Sequence, residues 1–79
     1  MRAPPAKRSL TLKGHRTSVT LEDEFWRAFC TIAKEKGLSI NALAAKIDAD
    51  RNLETGLASA IRVYVFSHIQ AELTAFREP

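Results

Sequence analysis

The sequence predicts a mainly α-helical fold that opens with one or two short β-strands. Three observations carry this. Arg16-Thr-Ser-Val-Thr-Leu21 alternates with period two, as a half-buried strand does. From Phe25 onward the apolar residues recur at helical spacing instead. Gly37 and the Asp50-Arg51-Asn52 run then divide that helical stretch into three segments.

Residues 1–14 read as a basic arm, stiffened by Pro4-Pro5. Within it Ser9 to Leu12 alternates weakly. That piece is either a second short strand that turns back at Gly14 or an extension of the next strand with a bulge there. The strand at 15–21 is predicted to send Thr17, Val19 and Leu21 to the core and Arg16, Ser18 and Thr20 to solvent. A first helix over 21–36 follows, capped at Thr20 or Leu21, with Asp23 completing a capping-box-like pair. Glu22, Asp23 and Glu24 load its first turn with charge that suits the helix dipole. Phe25, Phe29 and Ile32 form its stripe, Trp26 and Ala33 widen it, and Gly37 stops it. Ser39 caps a second helix over 39–49 with Leu43, Ala44 and Ile47 inward. A third is predicted over 54–76, with Gly56 weakening its start. Its apolar residues run round two sides, with Leu57, Ile61, Tyr64 and Val65 on one and Val63 and Phe66 on the other.

Seventy-nine residues make one domain with a small core. One cysteine, Cys30, excludes an internal disulfide and fits a reducing cytoplasm, where this protein is expected. The chain has too few His and Cys residues for the usual four-ligand zinc site. Oligomerisation is the remaining source of stability, and a lone strand needs a partner for its backbone groups. The far side of the third helix needs cover too, so a homodimer is expected. No apolar run is long enough to span a bilayer, and the basic N-terminus lacks the apolar segment of a signal peptide. The net charge of +3 hides an asymmetry, because residues 1–16 hold Arg2, Lys7, Arg8, Lys13 and Arg16 and no acid. A basic end of this kind attracts polyanions.

The alternating strand Arg16 to Leu21, the acidic helix start and the turn Gly37-Leu-Ser39-Ile-Asn41-Ala-Leu43 together resemble the ribbon-helix-helix (MetJ/Arc) family of DNA-binding proteins. Residues 52–64 look like a branch of it in which the second helix is interrupted and a further one added. The resemblance implies a homodimer whose chains share an intermolecular antiparallel ribbon, with an extra C-terminal helix here. It implies that the ribbon enters the major groove of double-stranded DNA, so that Arg16, Ser18 and Thr20 face the base edges. Arg16 is the strongest reader, since its fork matches guanine O6 and N7. The resemblance also places the amides around Ser39, Ile40 and Asn41 against a phosphate. Lys7, Arg8 and Lys13 of the arm, with His15 beside them, add phosphate contacts.

The function expected is transcriptional regulation by a small dimeric DNA-binding protein. The alternative is a dimeric protein-interaction module, or an antitoxin-like protein, that keeps the fold with little sequence-specific DNA binding, so a protein partner stays open. No acid, base and nucleophile converge, so no enzyme is expected, and no cofactor or metal either. Asp48-x-Asp50-x-Asn52 opens like a calcium loop, but Leu53 and Ser59 stand where that loop needs Gly and Glu. His68 is expected as a core or interface residue, for want of a carboxylate or second histidine at a metal-like spacing. Cys30 is expected as a small buried hydrophobe.

Overall fold

The computed structural model describes residues 4–77. The first three residues of the arm and the last two of the domain lie outside it. The order is β1 (Ala6–Leu12), β2 (His15–Leu21), α1 (Asp23–Glu35), α2 (Ile40–Asp50) and α3 (Leu57–Arg77).

The strand at 15–21 has its first partner in its own chain. β1 and β2 pair antiparallel, with Leu12 opposite His15, Ser9 opposite Ser18 and Ala6 opposite Leu21. Between them Lys13 and Gly14 form a two-residue turn, and both have positive φ, 51° and 82°. Two successive positive φ values define the type I′ turn, whose twist matches that of a hairpin. The piece at 9–12 is therefore part of a full second strand, and no bulge interrupts it. The need to satisfy a lone strand no longer argues for a second chain.

The hairpin's inner face supplies Leu10, Val19 and Leu21 to a core completed by Phe29, Ile32 and Ala33 of α1, Leu43, Ala44 and Ile47 of α2, and Ile61 and Val65 of α3. Thr17 shares that face but lies exposed, toward the turn end of the hairpin.

α1 begins two residues later than its capping pattern predicts. Glu22 is the N-cap, and its side chain makes no capping hydrogen bond. Thr20 is held in β2, so it cannot cap. The other end behaves as expected. Gly37 has φ 70°, Leu38 N–H donates to the Ala33 carbonyl, and Gly37 N–H donates to that of Lys34. These two bonds are the Schellman closure, which favours glycine at the left-handed position.

Ser39 caps α2, its Oγ accepting the Ala42 amide at 3.0 Å. After Asp50, Arg51 clips the break together. Its Nε donates to Asp48 at 2.7 Å and its Nη1 to the Thr55 carbonyl at 2.7 Å. α3 starts at Leu57, three residues past the predicted start, so Gly56 lies just outside the helix. Ile61 and Val65 are buried, whereas Phe66 is 61% and Phe76 88% exposed, and Val63, Ile69 and Leu73 are exposed as well.

Gly37→Ala should lower stability by about 1–2 kcal/mol through the left-handed backbone alone, because no atom lies within 4 Å of an added Cβ. Urea denaturation of the two proteins side by side measures this.

Candidate functional site

The register decides which side chains share the hairpin's outer face. Lys7 stands opposite Thr20, Ser9 opposite Ser18 and Thr11 opposite Arg16. Paired residues point to the same side of a sheet. The three residues expected as a comb on one strand therefore become a field of six on two. All six are exposed. The field has Lys7 and Arg16 as its charges, and neither strand contains an acid.

Ser9 and Thr11 were not legible as members of this face without the turn. The Lys13-Gly14 pair is the signal that points to them, since a Gly at the second position of a two-residue loop suits a tight hairpin.

The basic residues of the arm separate into two groups. Lys7 lies on the outer face, and Lys13 is exposed in the turn. Arg8 does not join them. It is opposite Val19 on the inner face, where its Nη2 donates to Asp23 at 3.2 Å. Its guanidinium lies over the Trp26 ring, 5.3 Å from the centroid. Arg8 is a strut between β1 and α1 and lies outside the outer-face field. Strand alternation is the cause, because Lys7 and Arg8 are neighbours and must face opposite ways. His15, like Thr17, lies on the inner-face side near the turn and is exposed.

The same alternation fixes the sheet's edges. The Leu12–His15 pair closes the turn, so the N–H and C=O groups of Lys7, Ser9 and Thr11 point away from β2, and those of Arg16, Ser18 and Thr20 away from β1. α2 covers the first edge. Asn41 Oδ1 accepts the Thr11 amide at 3.0 Å. The Asn41 side chain therefore joins the helix to the hairpin, and the start of α2, with the amides of Ser39, Ile40 and Asn41, lies beside the outer strand. The Ser39 hydroxyl is spent on its own helix. On the second edge Arg62 of α3 donates to the Thr20 carbonyl at 3.1 Å and to Glu22 at 2.9 Å. The outward backbone groups of Arg16 and Ser18 carry no bond from another element among the described residues. Arg62 was missed in the sequence, because its partners lie some forty positions earlier.

Cys30 is half-buried, and burial pushes its thiol pKa up against a weaker opposing pull from Arg8.

With this geometry in place, residues 5–69 match the family model described as a ribbon-helix-helix domain. The chain belongs to the ribbon-helix-helix family. No curated protein and no solved structure matches it. Members of the ribbon-helix-helix family commonly bind DNA as transcriptional regulators and typically form dimers. The match includes the hairpin and the first part of α3, so both additions to the strand-helix-helix unit fall within the family's extent. No helix among the described residues is long and apolar enough to cross a membrane.

Arg8→Ala should cost about 1–2 kcal/mol of stability, the sum of a half-exposed ion pair and a cation–π contact, measurable by chemical denaturation. Iodoacetamide should alkylate Cys30 more slowly than it does the same cysteine in the denatured chain at equal pH. The raised pKa leaves less thiolate in the folded protein.

Proposed function

We propose that this chain is a dimeric DNA-binding regulator that lays the outer face of its hairpin into the major groove. The observation that carries the reading is the exposed six-residue field, basic and free of acids, on an antiparallel ribbon. A major groove ~12 Å wide admits such a ribbon and offers a distinct donor and acceptor pattern at each base pair.

The dimer is inferred from two surfaces on one side of the molecule. The β2 edge offers open backbone groups at Arg16 and Ser18, which suit antiparallel pairing with the same edge of a second copy. Beside it runs the exposed stripe of α3. Arg62, Phe66, Ile69, Leu73 and Phe76 follow one another at spacings of four, three, four and three. That is the spacing of a helix seam that seeks another helix. Arg62 grips the outward Thr20 carbonyl, so the seam starts at the open strand edge. A second copy pairing along β2 therefore meets the apolar residues of α3 as well.

Joining two β2 edges gives four strands in the order β1-β2-β2-β1. The inner pair brings Arg16, Ser18 and Thr20 to the groove floor. Each β1 lies about 7 Å from the centre line at ordinary strand spacing, outside a groove ~12 Å wide, so only the inner pair enters and Lys7, Ser9 and Thr11 meet the flanking phosphates. Lys13 and the N-terminus of α2 at Ser39, Ile40 and Asn41 would add phosphate contacts at the flanks.

The exposed α3 stripe also favours a second reading, in which a different protein covers it and DNA plays no part. Two measurements separate the readings. Light scattering should give twice the chain mass at micromolar concentration. A mobility shift on duplex DNA should be strong at low salt and weaken steeply as salt rises. A monomer, or affinity insensitive to salt, would count against the DNA reading.

Arg16→Ala should cost about 1–3 kcal/mol on the preferred duplex and relax preference at one base pair per half-site. Lys7→Ala should weaken binding to all sequences alike and lower the salt dependence by about one counterion per site. Titrations of specific and random duplex at several salt concentrations test both.

A further inference from the structure

One titratable group plays no part in the ribbon or in the dimer surfaces. His68 sits mid-way along α3, and its side chain is largely covered, at 22% exposure. Its ring stacks on Tyr64, with centroids 6.3 Å apart and planes 24° from parallel. The Nε2 atom is shut off from solvent and makes no hydrogen bond. It is aimed between two carboxylates. Glu72 Oε2, one turn further along α3, lies 3.4 Å away, and Glu35 Oε1, at the end of α1, lies 3.9 Å away. The three ligand atoms all fall within 4.8 Å of one another.

We infer that His68, Glu72 and Glu35 form a binding site for a divalent transition-metal ion of the zinc class, closing α1 onto α3. The spacing argues for it. A tetrahedral ion with bonds of about 2.0–2.2 Å holds its ligand atoms roughly 3.3–3.6 Å apart. The His68–Glu72 distance already meets this; the Glu35 oxygen lies 3.9 Å from Nε2 and within 4.8 Å of the Glu72 ligand atom, so it closes on the ion by a turn of its exposed side chain. An imidazole nitrogen with two carboxylate oxygens suits zinc better than calcium or magnesium, which take oxygen ligands. The two carboxylates cancel the ion's charge. Both are more than half exposed, so a water can reach the fourth position.

The expectation that His68 lacks a carboxylate at metal-like spacing is thereby corrected. Glu72 stands four residues on, one helical turn away, where side chains share a face. Glu35 is distant in sequence and reaches the pair through the packing of α1 on α3. The low His and Cys count excludes a closed four-ligand site, but it does not exclude three ligands and a water.

The site lies away from the hairpin's outer face, so the inference does not depend on DNA binding. An imidazolium ion bridging the same two carboxylates is the competing occupant, and the test distinguishes it. Chelator-treated full chain is titrated calorimetrically with zinc chloride near pH 7.5, and cobalt(II) serves as the coloured probe. The expected result is one zinc per chain, with visible cobalt absorption of the intensity given by four- or five-coordinate ions. A hundredfold excess of zinc over its Kd should raise Tm by roughly 10–20 °C. His68→Gln should abolish binding. Glu72→Gln and Glu35→Gln, at exposed positions that leave the core untouched, should each weaken it at least tenfold. Absence of zinc binding to the parent chain would overturn the inference. So would parent-like affinity in Glu72→Gln, or stability that responds to pH but not to zinc.

Discussion

The two-residue turn at Lys13-Gly14 constrains everything that the hairpin contributes. Side chains alternate along a strand, so moving the register by one residue would exchange its two faces. The observed register sends Leu10, Val19 and Leu21 under the helices and leaves Lys7, Ser9, Thr11, Arg16, Ser18 and Thr20 outside. Gly14 accepts its positive φ freely, whereas Lys13 adopts one at some cost. That cost is borne by the ladder and by the core beneath it. The face that a DNA-binding reading needs and the core that holds the fold together are thus set by the same turn.

Much of this was legible from local pattern. The acidic residues at the start of α1, its Phe25–Phe29–Ile32 stripe and the Gly37 stop are signals within a few residues of one another, and the helix follows them. Ser39 as the cap of α2 was legible for the same reason. Errors at the start of α1 came from a competition that pattern alone does not resolve. Thr20 is a good cap and also a good strand residue, and the ladder takes it. The late start of α3 has a similar origin. The carbonyls of Asn52 and Thr55 accept from Arg51, which holds that stretch as a turn.

What the sequence did not disclose were contacts between distant segments. Arg8 reads as one more cation in a basic arm until Asp23 and Trp26 are seen beneath it. Asn41 reads as an amide at a helix start until its side chain is found on the Thr11 N–H. Glu35 and His68 are separated by most of two helices. Each requires knowing which faces meet, and that is decided by packing. The partner strand for β2 shows the opposite failing. Residues 9–12 alternate, but so short a piece fits a strand folding back at Gly14 and a bulged extension of the next strand equally well, and only the pairing decides between them.

Arg62 reaches from α3 to the carbonyl of Thr20 and to the carboxylate of Glu22, spanning the point where β2 hands over to α1. The helix that carries the apolar seam is thereby tethered to the last residues of the ribbon. One side chain thus knots together the end of the ribbon, the first turn of α1 and the helix with the apolar stripe.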